Sequence, residues 1–470
     1  MNSAQARPMH VGHVRSPVKH PRTELLSVAG PMLAEMLLMQ LASLLSLWLV
    51  SRISDGDAAI FAMVNHIAFS CVMLFRIVSM GCGVVVAQHL GGSDAPGAQH
   101  VARASLVSNL ALGLLCGALL WLVAAWLLVW MKMPVELAGA AQLYLKVLAL
   151  SLCFEAGNFV ISTVLRSHKM SRPTMWLSLV TQLAHFAIAL PLMFGWLGLP
   201  AWGLMGLMVG SLVSRVLTFV LGLWLWRRLL NLSLRGRQWW SWPAGSLRGV
   251  MHVGLPGAGE NIAYRLSFMM ILAFVAGMGP AALAAHAYTH QLMVFMLLFG
   301  VCMGLATEII VGHCVGAGRL HQSDRVVRSA LGMGLVVSLT VSVLIASFGH
   351  VLLRLFTQDA HIIAVGRQLL WLCLLLETGR TFNLVVINGL RAAGDVRFPL
   401  FAGVSSMFLV AVGLSWWLGV HLGYGLVGIW LACALDEWLR GLTMYWRWRT
   451  RLWRHTSRQV HRNIRRQVAS

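Results

Sequence analysis

A chain of 470 residues that is 58% hydrophobic and 11% charged, with mean hydropathy +0.76, holds more apolar surface than a soluble fold can bury. Ordinary soluble domains carry about 25% charged residues. The formal charge of +21 invites nucleic acid as a partner, but the placement of the charge, described below, excludes that reading in favour of a membrane protein.

The first 24 residues are polar and basic, with no apolar core or cleavage site of a signal peptide; the first apolar span is expected to start translocation and to be kept. Twelve apolar runs follow, at about 25–51, 58–88, 101–130, 136–166, 174–196, 202–226, 247–278, 281–312, 325–356, 361–391, 398–420 and 424–447. Each suits a membrane-crossing helix of roughly 20 residues. None shows the alternation over about 10 residues that marks a barrel strand. If the side holding the N-terminus is called inner, 26 of the 36 Lys and Arg fall on inner loops and tails, three (Arg52, Lys132, Arg354) fall outside and seven lie within spans. That asymmetry is the positive-inside pattern, so both termini are expected to be cytoplasmic. The eight cysteines sit in or beside apolar spans without a CxxC, as small buried hydrophobes rather than disulfides or a metal site.

The chain repeats itself. Pro31 and Glu35 of "GPMLAEMLLM" match Pro256 and Glu260 of "LPGAGENIAY" at an offset of 225, and Gly91/Gly316, Leu165–Arg166/Leu390–Arg391 and Arg172/Arg397 keep the same offset. The expected organisation is a basic tail (1–24), a six-helix lobe (25–228), a basic, Trp-rich cytoplasmic connector (229–246), a second six-helix lobe (247–446) and a basic tail (447–470). Each lobe begins and ends on one side, so the repeat is parallel, as in carriers with a site between two rocking halves. The fold class is all-α integral membrane, twelve helices in two pseudo-symmetric bundles.

Four ordered, duplicated motifs carry a resemblance across about residues 25–447: the turns "VAQHLGGSD" and "IIVGHCVGAGR" after the second helix of each half, and "LRSHKMSRP" and "LRAAGDVRFP" after the fourth. With "GYGLVGIWLACALDEWLRG" near the end, they resemble the MATE family of multidrug and toxic compound extrusion antiporters. The resemblance implies a central cavity open to either side in turn, and export driven by inward H⁺ or Na⁺, with no cofactor beyond that ion. It implies a monomer in a bacterial inner membrane acting on a small-molecule substrate, organic and cationic or amphipathic. The turns themselves read as structural, their glycines ending helices where positive φ is tolerated.

Seven acids fall within spans: Glu35, Glu155, Glu260, Glu308, Glu377, Asp436 and Glu437. An intramembrane acid costs about 2.5–3.5 kcal/mol on insertion scales and normally faces a cavity or a partner. Glu35 and Glu260 lie at equivalent mid-membrane depths, and a carboxylate there can hold a proton, a sodium ion or an organic cation in turn. They are the candidate ion-coupling sites together with Glu377; the alternative is a Glu hydrogen-bonded within its own lobe. Pro31 and Pro256 clash with the carbonyls of Ser27 and His252 and are expected to bend their helices. Glu377 with Arg380, and Asp436 and Glu437 with Arg440, are spaced for ion pairs on one helix face. Glu308 reads as close enough to a helix end to reach interfacial water, and Glu155 as a partner for Asn158. Many family members carry an Asp in the second half of helix 1 and several one in helix 10; Ser46 and Arg380 stand at those places here, so those family sites do not carry over.

Substrate contacts stay unassigned, because most of the 20 Trp, 25 Met and 18 Phe must face lipid or packing. A related flippase of lipid-linked oligosaccharides would want an Arg-rich cavity, for which Arg76, Arg215, Arg265 and Arg380 are available; a narrow metabolite exporter would look the same. A membrane-embedded enzyme is disfavoured by the absence of DDxxD, HExxH or GxSxG placed for catalysis, and a major-facilitator carrier by "HLGGSDAPGAQHVAR" where its basic signature loop would stand.

Overall fold

A computed structural model describes residues 20–198, 200–230 and 244–469. Eleven helices in it are long and apolar enough to cross a membrane. They are α1 (Pro21–Ser51), α2 (Asp55–Gly91), α3 (Ala95–Trp130), α4 (Val135–Ser167), α5 (Ser171–Phe194), α6 (Leu204–Leu230), α7 (Ala244–Gly277), α8 (Pro280–Gly316), α9 (Leu320–Ser347), α11 (Ala360–Ala392) and α12 (Arg397–His421). The twelfth expected span is α13 (Gly425–Arg449), which carries Asp436, Glu437 and Arg440 on its buried side. The span expected at 325–356 is divided: α9 stops at Ser347, and a separate short helix α10 (Gly349–Arg354) follows.

Apolar runs this long become helices because a backbone removed from water must satisfy its own hydrogen bonds. Their ends are set by polar residues. Ser54 accepts from the Asp57 amide at 3.0 Å, Asp94 from Gly97 at 2.9 Å and Asp359 from His361 at 2.8 Å, each shielding a helix N-terminus. Most of the basic tail after Arg449 is a further helix, α14 (Trp453–Ala469). It is docked, not free: Trp453 is buried against Trp448 with ring centroids 4.2 Å apart, and Ser457 donates to the Ala393 carbonyl at 2.9 Å. The tail expected at 1–24 and the connector at 229–246 lie largely outside the described residues.

The lobes touch where α2 meets α7 and α8 and where α1 meets α8. On the face that carries α14, called here the basic face, the contacts repeat the offset of 225. Gln88 Nε2 donates to the Ala392 carbonyl at 2.8 Å, and the repeat-related His313 Nε2 lies 2.8 Å from the Ser167 carbonyl. The family glycines serve this closure. Of the turn glycines expected at positive φ, Gly318 has it, at 72°, whereas Gly91 and Gly316 have helical φ; in the first turn the left-handed position is Ser93, at 62°. A Cβ on Gly91 would stand 2.1 Å from the His313 carbonyl oxygen, and one on Gly316 1.8 Å from that of Gln88. Glycine is required because α2 and α8 cross with backbones in contact.

Candidate transport pathway

Six of the seven intramembrane acids are ion-paired. Arg166, in the last turn of α4, reaches Glu35 of α1 at 2.6 Å, and Ser178 of α5 donates to the same oxygen at 2.9 Å. Arg391, in the last turn of α11, reaches Glu260 of α7 at 2.5 Å. The second pair is the first displaced by one repeat, and each stays within its own lobe. Glu35 and Glu260, the candidate ion-coupling carboxylates, are thus each held by an arginine, and Glu35 also lines a cavity. The Arg of the two "LR" turns, read as purely structural, are the partners. Pro31 and Pro256 lie inside uninterrupted helices, α1 and α7.

In the second lobe, Glu377, Arg380, Asp436, Glu437 and Arg440 form one buried cluster. Arg380 bonds Glu377 at 2.6 Å and Glu437 at 3.1 Å; Arg440 bonds Glu437 at 2.7 Å and Asp436 at 2.9 Å. Asn383 and Ser406 donate to the outer oxygens, at 3.0 Å and 2.6 Å. Paired charges on this scale fix α11 against α13, with Arg440 Nε and Asn383 Oδ1 left without a hydrogen bond. Glu377 is thus a member of a network, not a free carboxylate. The cavity left beside it measures only about 60 Å³.

The first lobe is open by comparison. A cavity of about 350 Å³ runs between α1, α2, α4, α5 and α8, lined by Met32, Met36, Met39 and Met80 among apolar groups and by Glu35, Arg76, Arg166 and Glu308 among charged ones. A second space of about 260 Å³, reaching Tyr144 and His185, shares Met39, Glu155, Gln182 and Arg215 with it. Glu155 is held by Arg215 at 3.1 Å, not by Asn158, whose amide donates to the Arg215 carbonyl at 3.0 Å. The remaining acid is Glu308. Far from reaching interfacial water, it is 6% exposed, has no ion-pair partner among the described residues, and leaves Oε2 without a hydrogen bond. Its apolar neighbours on a helix buried between lobes hid this in the sequence. The four flippase arginines are not a free basic patch either: Arg215 and Arg380 are paired, and only Arg76 and Arg265 are without a carboxylate partner among the described residues.

The MatE family profile matches residues 31–190 and again 256–417, starting at Pro31 and at its repeat Pro256. The chain belongs to the MatE family. It is accordingly a multi-pass membrane transporter and not an enzyme. Among MATE relatives, it is 30% identical to the uncharacterised transporter YisQ of Bacillus subtilis over 429 residues, 91% of this chain and 94% of YisQ. It is 28% identical to the multidrug resistance protein PmpM of Pseudomonas aeruginosa, covering 89% of this chain and 85% of PmpM. Its fold is that of a MATE transporter solved in an outward-facing conformation, with a TM-score of 0.82, 18% identity, and coverage of 94% and 97% of the two chains.

Proposed function

We propose that this MATE protein exports amphipathic organic compounds across a bacterial inner membrane in exchange for protons, as a monomer with both termini in the cytoplasm. The observation that carries the reading is Glu308. It is the cavity carboxyl able to take up and release a proton without first breaking an ion pair, and it stands on α8, where the lobes meet. Protonation there changes the charge of the cavity that would hold the substrate, so the two ligands compete. Alternating access requires the basic face to part and the opposite side to close. The Met-rich wall of the cavity suits compounds of varied shape. The naming of PmpM as a multidrug resistance protein agrees with such a range. The 26-to-3 division of Lys and Arg supports the orientation.

The test is transport in proteoliposomes under an imposed pH gradient, comparing wild type with Glu308→Gln. The variant is expected to lose gradient-driven accumulation by about tenfold or more while retaining exchange of labelled for unlabelled substrate. Accumulation that follows the pH gradient as in wild type removes Glu308 from coupling. Accumulation that follows a sodium gradient alone removes the proton.

A further inference from the structure

We infer that the junction of α2 and α7 holds a binding site for the anionic group of an amphipathic molecule: a carboxylate, sulfonate or phosphate borne on an apolar skeleton. A cavity of about 250 Å³ lies there, walled by Phe69, Met73 and Ile262 and carrying two arginines, Arg76 and Arg265. No acid lines it. Arg265 lies over the Phe69 ring at 4.8 Å. Asn261, the amide in the wall, donates to the Gly257 carbonyl at 2.7 Å.

Both cations sit deep in the membrane region. Arg76 is about 22 Å along α2 from its basic-face end at Gly91, and Arg265 about 27 Å along α7 from Leu247. An arginine at such depth normally faces a cavity or a partner; both side chains are exposed to the space between α2 and α7, and neither has a carboxylate partner among the described residues. The acids that might serve are engaged elsewhere: Glu35 by Arg166 and Glu260 by Arg391. Glu308 lines the larger cavity with Arg76 but makes no ion pair among the described residues. Two guanidinium groups in one apolar cavity, with no carboxylate to answer them, leave a place for an anion; arginine's planar fork suits oxyanions of this kind. The apolar wall selects a molecule with a hydrophobic body. Arg76 also lines the larger cavity of the first lobe, so a ligand here would stand at the edge of the proposed transport route.

The same chemistry could arrive as a solute or as the headgroup of an anionic lipid, and binding can be measured without transport, so this inference and the export reading can fail separately. The full chain in nanodiscs of phosphatidylcholine is titrated with dansyl-undecanoate, and in parallel with its methyl ester. The carboxylate is expected to bind at least about tenfold more tightly than the ester. Arg76→Gln and Arg265→Gln are each expected to weaken it by about tenfold, as loss of a charge-assisted hydrogen bond requires. Arg76→Lys and Arg265→Lys, which keep the charge but lose the planar fork, should restore part of the affinity, and unchanged melting of all four variants separates binding from folding. Equal binding of acid and ester, or Gln variants that bind within twofold of wild type, overturns the site. Among supporting outcomes, competition by phosphatidylglycerol mixed into the disc assigns it to a lipid, and indifference to that lipid assigns it to a solute.

Discussion

Glu35 and Glu260 look in the sequence like isolated acids, yet each is half of an ion pair. Arg166 reaches Glu35 at 2.6 Å, with the acid buried, and Arg391 reaches Glu260 at 2.5 Å. Removing one member of such a pair strands a charge, and the loss is far larger than the net worth of the pair. Glu35→Gln or Arg166→Gln alone is therefore expected to destabilise the protein by on the order of 3 kcal/mol. The double variant should recover a large part of that loss, because neither charge remains. Thermal unfolding in detergent, run as a double-mutant cycle, gives the coupling; independent, additive losses would mean that the pair is not made. The partner was present in the sequence, since Glu35/Glu260 and Arg166/Arg391 share one offset. Residues carried together through a duplication are candidates for contact, but the offset alone does not say that a last-turn arginine of α4 leans onto α1. Glu308 was misread for a different reason. Distance to the end of an apolar run measures depth only if the helix faces lipid or water, and α8 runs between two lobes.

Helices show a sharper contrast between what the pattern discloses and what it conceals. Length and hydropathy suffice for eleven of the spans, because a buried backbone has few ways to satisfy itself; the twelfth, α13, is long enough but carries Asp436, Glu437 and Arg440 and does not meet the same measure. The exceptions are at breaks: α9 and α10 divide a run that hydropathy leaves whole, and α14 turns a basic tail into a docked helix anchored by Trp453. Positive φ, expected of the turn glycines, holds at Gly318 but not at Gly91 or Gly316. The role of glycine at 91 and 316 is close approach, with positive φ left to Ser93 and Gly318. The distinction is testable. Gly91→Ala and Gly316→Ala place a methyl 2.1 Å and 1.8 Å from a carbonyl oxygen of the facing helix, so α2 and α8 must separate. Both variants are expected to show faster amide hydrogen exchange over residues 86–95 and 311–320. Gly249→Ala and Gly332→Ala, where an added Cβ meets no atom within 4 Å, should leave the pattern as in wild type. Equal behaviour of all four variants would show that the crossing tolerates the extra methyl.

At the scale of the whole molecule, the duplication has kept its symmetry at the closed face and lost it in the interior. Gln88 and His313 bond reciprocally to Ala392 and Ser167, and Ala87 faces Gly312, each member of these pairs being the other's counterpart one repeat away. Inside, cavities of about 350 and 260 Å³ lie on the side of the first lobe, the larger also bounded by α8, whereas the cavity beside the five-residue ion cluster of the second lobe measures about 60 Å³. A symmetric seam suits the alternating access proposed above, in which the joint opens along its whole length; an asymmetric interior suits one lobe holding the cargo while the other stays rigid. The seam supplies the decisive experiment. A Cβ added at Gly312 would come within 2.9 Å of the Ala87 Cβ, nearer than the roughly 3.5–4.5 Å that a disulfide spans, so α2 and α8 must part slightly to accept one. With the native cysteines replaced, Ala87→Cys with Gly312→Cys is expected to cross-link under oxidation and to lower transport by more than about tenfold, with reductant restoring it. Each single variant should transport equally with oxidant and with reductant, whatever its basal level. Transport that persists in the cross-linked protein would show that this seam stays shut throughout the cycle. The lobes would then have to exchange access by bending within a lobe, where Pro31 in α1 and Pro256 in α7 are the places to look.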